Sequence, residues 1–360
     1  MSRTFESFHI KQFRGLRDVT LTGLADVNVL LGLNNSGKTS VLEALALYCA
    51  PFAEEDWWGL VQKRGERGQS GKTFDAIEWL FPHSGENDNL QPIELGASGG
   101  RLGRITVDAA RETKLEQDHE IDNEGKFVVI GEHQERILTV RVHFPGIGKD
   151  RKLEFSEAGV WPRSQHADSL ETPFKYLTPV SARIDRAELE AFSKTSLEGA
   201  ESTVVEMLRM IDARVQDLKI LTPVGTYPVL HVEYEGLGVV PTSILGDGVR
   251  RAASIAFAVS SLRDGLLLID EIENAIHVKA LEAVFPWLVR TCRTNNVQLF
   301  ATTHSLEAID ALLTATRKSG DGFVCHQLRR RDDKTFVQRF DSELMYDMRY
   351  EGGLDVRLAR

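Results

Sequence analysis

The stretch VNVLLGLNNSGKTSVLEALALYC, residues 27–49, decides the fold. VNVLL is an uncharged, strand-sized apolar run. GLNNSGKTS (32–40) follows and matches G-x-x-x-x-G-K-[ST] in full. SVLEALALYC then places Val41, Leu42, Leu45 and Ala46 at helical spacing, with Pro51 marking the end. A strand feeding a glycine loop that opens a helix is the context a phosphate-binding loop requires. Gly32 and Gly37 let the backbone wrap closely, so that the N–H groups of Asn34, Asn35, Ser36, Gly37 and Ser40 can face phosphate oxygens. Lys38 reaches the β- and γ-phosphates, and Thr39 offers its hydroxyl to Mg²⁺. A second Gly-Lys-Thr, in GQSGKTF (68–74), has Glu66 where the first glycine belongs and no apolar strand before it. It reads as a solvated loop.

A phosphate loop needs acidic partners at the carboxyl edge of the same sheet. GLLLIDEIENAIH (265–277) supplies an apolar strand ending in two acids. Asp270 is placed to hold Mg²⁺ through water, and Glu271 to orient or deprotonate an attacking water. VQLFATTHSLEAID (297–310) is another such strand, ending in Thr302, Thr303 and His304. The imidazole of His304 can hydrogen-bond a γ-phosphate and register its loss. Ser305 caps the next helix, with Glu307 in its first turn. Between these strands and the first loop lies LGDGVRR (245–251), a glycine turn opening a helix that is apolar nearly all round.

Around these motifs the chain divides into five segments. Residues 1–51 hold a strand meander and the phosphate loop. Residues 52–173 form a β-rich insertion in which EEDWWGLVQKRGERGQSGKTF and PHSGENDNLQPIELGASGGRLG, rich in glycine and charge, contain long loops, FDAIEWLF reads as a short helix, and RITVDAA, KFVVIGE, RILTVRVHF and KLEFSE read as short strands. Residues 174–245 give a strand and a helical lobe, with Val204, Met207, Leu208, Ile211 and Val215 at helical spacing. Residues 246–325 alternate helix 249–263, strand 265–269, helix 277–294, strand 297–302 and helix 305–317, the rhythm of a parallel sheet. Residues 326–360 are an extension with a last strand pair. The fold class is α/β: a P-loop NTPase with a mixed sheet flanked by helices.

Of 360 residues, 42% are hydrophobic and 27% charged, which predicts a packed core. The formal net charge of −10 disfavours a strongly basic nucleic-acid binder, while leaving room for a local basic groove. Three scattered cysteines without metal spacing, no signal peptide and no membrane-length apolar run point to a cytoplasmic protein.

The ordered set FRGL, GLNNSGKTS, LGDGVRR, LLLIDEIENAIH and TTHS resembles the ABC-type ATPases. It is most similar to the soluble branch holding RecF, the SMC chromosome-maintenance ATPase heads and the OLD (overcoming lysogenisation defect) family. DAIEWLFPH, LGDGVRR and FATTHSLE look most like stand-alone OLD-type ATPases. The resemblance covers 1–50 and 174–325 well and the insertion only weakly. It implies ATP and Mg²⁺ as cofactors and a head-to-tail homodimer. In that dimer Gly246 and Gly248, in the signature segment, meet the γ-phosphate bound by the other copy. The usual signature has Ser where Gly246 stands and Gly where Asp247 stands. The resemblance also implies that Arg14 approaches the nucleotide, and that Asn274, Ala275 and His277, in a D-loop where relatives commonly have Gly at 275, meet the partner. The stretch after GFVCHQ is too short for a Toprim nuclease module. The expected partner is therefore a separate effector, a Toprim nuclease or a toxin, in anti-phage defence. The alternative is a RecF-like ATPase that binds DNA directly, recognisable by steep salt dependence.

Overall fold

The computed structural model describes residues 3–63, 70–83, 89–121, 127–146, 148–157, 170–180, 185–197, 199–222, 228–320, 322–332 and 334–357. One sheet carries the chemistry. It combines β3 (Val27–Leu31), β8 (Phe174–Leu177), β12 (Leu266–Ile269), β13 (Gln298–Thr302), β14 (Phe323–Arg331) and β15 (Lys334–Asp341) in the order β15-β14-β3-β13-β12-β8. All neighbours are parallel except the β14–β15 pair. The sheet is therefore mixed, as expected.

Both faces of this sheet are covered, which explains the continuous apolar runs. Along β12, Leu266 and Leu268 face one core cluster and Leu267 and Ile269 the other. The first cluster joins α1 (Lys38–Cys49) and α2 (Glu54–Gln62) to an antiparallel sheet. That sheet runs β2 (Leu16–Leu21), β1 (Ser7–Phe13), β4 (Ile93–Ser98), β5 (Arg104–Ile121), β6 (Phe127–Phe144) and β7 (Lys149–Ser156). The second cluster holds α4 (Asp185–Leu197), α5 (Glu201–Ile211), α6 (Asp247–Ser260), α7 (Val278–Thr294) and α8 (Leu306–Ser319). It also takes in a small sheet of β9 (Val215–Leu221), β10 (Val229–Tyr234) and β11 (Gly238–Pro241). A short helix α9 (Ser342–Tyr346) follows β15.

Several expectations for residues 52–173 are corrected. EEDWWGLVQ, given no helix in the sequence reading, is α2: its first turn is Glu54, Glu55 and Asp56, and Trp57, Trp58, Leu60 and Val61 are buried. The second Gly-Lys-Thr lies in helix α3 (Ser70–Glu78), drawn in by the burial of Phe74 and Ile77. FVVIGE and RILTVRVHF are one strand, β6, paired with β5 along its length. The strands from this segment continue the sheet that β1 and β2 begin, with β4 hydrogen-bonded to β1. Trp57 stacks on Phe81 and packs against Phe155, so the segment shares its core with the N-terminal strands. Val215 opens β9 rather than closing a helix. Among the described residues no helix is long and apolar enough to cross a membrane.

Candidate active site

The sheet delivers the predicted residues to one edge. Asn34, Asn35, Ser36, Gly37, Lys38, Thr39 and Ser40 line a cavity of 310 Å³ together with Asp270, Glu271, Thr302 and His304. These groups come from the ends of three neighbouring parallel strands, β3, β13 and β12.

The loop conformation depends on its glycines. Gly32 has φ 147° and Gly37 φ 97°, both in the region that favours glycine. A Cβ at Gly32 would collide with the Leu328 carbonyl oxygen and Ser36 Oγ, and one at Gly37 would come 2.6 Å from Leu16 Cδ2. Asn35 also holds a positive φ, 63°. Lys38 donates from Nζ to the carbonyls of Gly32 (2.7 Å) and Leu33 (3.1 Å). Burial lowers its pKa, and the charges of Asp270, Glu271 and Glu273 oppose that shift. Ser36 Oγ is buried with no hydrogen-bond partner. An unpaired buried hydroxyl on a loop that lines this cavity fits an anion, which would satisfy it.

The acidic side is equally ordered. Asp270 accepts from Thr39 Oγ1 at 3.0 Å through Oδ2 and from Thr302 Oγ1 at 2.6 Å through Oδ1. Thr302 Oγ1 in turn accepts from Glu271 N at 2.8 Å. A hydroxyl and a carboxylate 3.0 Å apart beside a phosphate loop suit Mg²⁺, which takes few protein ligands and completes its shell from phosphate and water. Glu271 has φ 48°, an uncommon backbone for a residue with a Cβ, and it lines the cavity. Asn274 Nδ2 donates to Glu271 Oε2 at 3.4 Å. His304 donates its backbone N–H to Glu273 Oε1 at 2.9 Å and is one of the residues lining the cavity. Ser305 caps α8 by accepting from Ala308 N at 3.1 Å, as its sequence position predicted.

Other predicted residues lie elsewhere. Arg14, in the turn between β1 and β2, pairs its Nε with Glu43 at 2.9 Å and lines a neighbouring cleft rather than the phosphate cavity. Glu43 is buried on α1 and holds the guanidinium there. Gly246, Gly248, Asn274 and His277 are also outside the cavity. They form a surface feature of their own: Gly246 is the N-cap of α6, and a Cβ at Gly248 would sit 2.9 Å from the Ala275 carbonyl. Ala275 has φ 61°, a conformation that favours glycine. His277 caps α7, accepting from Lys279 N at 3.2 Å. Asp247 is exposed in the first turn of α6, where the helix dipole favours an acid.

Two residues escaped sequence reasoning. Thr302 was legible only as a strand end, yet the parallel register pairing Ile269 with Ala301 puts it beside Asp270. Arg251 is fully buried on α6 and donates to the carbonyls of Thr178 (2.6 Å), Asp270 (2.9 Å) and Glu271 (3.3 Å). Burial pushes its pKa down to about 10. Its signal is an arginine on the same helical face as Ile255 and Val259, where a core residue belongs. Arg251→Met keeps the bulk and strands three carbonyls, an expected loss of about 3 kcal/mol in stability. Urea denaturation checks this, and turnover should fall more than nucleotide affinity does.

The comparisons with known proteins bear on the family and the fold. The family described as "AAA domain, putative AbiEii toxin, Type IV TA system" matches residues 27–310, from the first strand of the phosphate loop to α8. The chain belongs to this family. Among relatives of this AAA-type chain, the "ATP/GTP phosphatase" of Helicobacter pylori is 20% identical over 359 residues, covering 93% of the chain and 94% of that protein. An uncharacterised protein of Methanocaldococcus jannaschii is 39% identical over 115 residues, 31% of this chain and 99% of that one. A second protein of that organism is 51% identical over 43 residues, which is 20% of its own length. Among solved structures, the Smc head bound to the C-terminal winged-helix domain of ScpA aligns with a TM-score of 0.53 at 12% identity, over 94% of this chain and 98% of that one. An Smc head with an extended coiled coil, bound to the C-terminal domain of ScpA derived from Pyrococcus furiosus, gives a TM-score of 0.51 at 11% identity, over 97% and 99% of the two chains. The AAA-family chain therefore has the fold of an ABC-type ATPase head.

Proposed function

We propose that this protein is a Mg²⁺-dependent ATPase whose heads close in pairs around ATP. The observation that carries the reading is the chain of contacts from Thr39 through Asp270 and Thr302 to the backbone of Glu271. It ties the phosphate loop to a carboxylate aimed at the same cavity. The loop N–H groups, Ser36 and Lys38 bind the phosphates. Thr39 and Asp270 would hold Mg²⁺, which neutralises charge on the phosphate oxygens when bound. Glu271 orients the attacking water and accepts its proton, with Asn274 bonded to its carboxylate and Thr302 to its backbone N–H. His304 donates to the γ-phosphate from the opposite wall, and the loss of that bond after hydrolysis reports the nucleotide state.

Pairing is supported by what lies on the surface around the start of α6. The helix N-terminus is exposed beside the 274–277 turn, and Ile244 and Val278 are large apolar side chains 69% and 51% exposed. A second copy set head-to-tail would cover them and bring the positive end of α6, with Gly246 and Gly248, to the other copy's γ-phosphate. The OLD-type resemblance extends the reading: opening and closing control a separate effector, a nuclease or toxin, in cytoplasmic anti-phage defence. The test is Lys38→Met. Equilibrium dialysis should show ATP affinity falling by about 100-fold, with no measurable phosphate release. Wild-type ATP affinity in the variant would remove the loop from the binding role.

A further inference from the structure

Residues 347–357 lie against α8, the helix that begins just after His304. Arg349 grips Asp310 with two bonds, from Nε and Nη2, each 2.8 Å, and Tyr350 Oη meets Thr314 Oγ1 at 3.2 Å. Arg349 Nη1 also donates to Leu354 O at 2.7 Å, which holds the next turn of chain close to the helix. Val356 is fully buried, and Gln327 Nε2 donates to the carbonyls of Val356 and Arg357, each at 3.0 Å. Gln327 pairs with Leu31, the residue before the phosphate loop, in the β14–β3 register. The strap is thus anchored to the sheet at the level of the loop. From there it reaches His304. Arg357 commits Nε and Nη2 to Asp355, at 2.9 and 2.6 Å, and donates from Nη1 to His304 O at 2.8 Å.

His304 is therefore held on both sides of the Cα that carries its imidazole: its N–H by Glu273 and its carbonyl by Arg357. We propose that Arg357 is a positioning residue for His304, and that the strap of residues 347–357 is in this way part of how the site reads the γ-phosphate. The inference rests on the role given above to His304. A guanidinium already forked on a carboxylate loses little freedom when it bonds a third acceptor. A charged donor also bonds a carbonyl more strongly than a neutral one. Releasing the His304 carbonyl costs the γ-phosphate a well-placed donor. The other phosphates keep their partners, because the loop and Lys38 do not touch the strap in the contacts described. The loss is therefore selective for ATP over ADP.

The experiment measures dissociation constants for ATP and ADP with Mg²⁺ in Glu271→Gln/Gly246→Arg protein, chosen to remove turnover and pairing. His304→Ala, Arg357→Ala and the two combined are compared on that background. Arg357→Ala should weaken ATP by between about 3- and 10-fold and leave ADP unchanged. His304→Ala should weaken ATP by at least as much, and the combination no further, because Arg357 acts through His304. Asp355→Asn loosens the guanidinium but leaves the donor and the Val356 anchor in place. It should show a smaller loss of the same ATP-only kind, and it decides the question if Arg357→Ala does not fold. ATP affinity that falls in His304→Ala but not in the strap variants overturns the proposal. So does an equal loss of ATP and ADP, or a full additional loss in the combined variant. Unchanged ATP affinity in His304→Ala removes the underlying role of His304 instead.

Discussion

Glu271→Gln should bind ATP as the unsubstituted protein does and hydrolyse it about 10²–10⁴-fold more slowly. The change is nearly isosteric, removes the charge and the proton acceptor, and leaves Asn274 a carbonyl oxygen to bond. The scaffold around position 271 is built from main-chain contacts: Thr302 Oγ1 accepts from Glu271 N, and Arg251 donates to Glu271 O. Neither contact involves the carboxylate, so the left-handed backbone at 271 should survive. The phosphate loop has no bond to the Glu271 side chain among the described contacts, so affinity is spared. Phosphate release against ATP concentration separates the two effects, with a lower kcat at unchanged or lower KM. Turnover equal to that of the parent would take the proton-accepting role away from Glu271.

Gly246→Arg should keep ATP binding and lose about 10²–10³-fold in turnover, although Gly246 touches nothing in the phosphate cavity of its own chain. The structure makes this the cleanest substitution for isolating pairing. A Cβ at Gly246 has nothing within 4 Å, and its φ of −59° is ordinary for any residue. The side chain therefore fits the isolated chain and would clash only with a second copy seated on α6. Gly248→Arg is a less clean probe, because its Cβ meets the Ala275 carbonyl at 2.9 Å and would distort the 274–277 turn directly. Turnover and light scattering on the Gly246 variant give the two readouts. Full activity would mean that α6 contributes nothing across an interface.

How far the sequence reached depended on how local each feature is. The phosphate loop is a contiguous stretch whose neighbours dictate its shape, and it folds as read. The strands β3, β12 and β13 were legible because burial on both faces leaves no polar alternation. α2 was not: Gly59 and three leading acids look like loop chemistry, and only the packing of Trp57 against Phe81 and Phe155 shows the helix. The long β5–β6 ribbon looked like several short strands because its polar residues break the apolar pattern while backbone pairing continues. Within the site, Asp270, Glu271 and His304 were legible as strand-end residues. Thr302 and Arg251 were not, since both act through contacts between segments far apart in the chain. Arg14 was placed near the nucleotide by resemblance. The structure pairs it with Glu43 and sets it on a cleft that adjoins the phosphate cavity.

The central claim is that ATP joins two copies through the start of α6. Light scattering on Glu271→Gln, with and without ATP and Mg²⁺, tests it most directly, with the Glu271→Gln/Gly246→Arg double variant as control. The molar mass should double only when ATP and Mg²⁺ are present, and the double variant should stay at its starting mass while still binding ATP. A Glu271→Gln protein that is saturated with ATP and keeps the same mass throughout would contradict it.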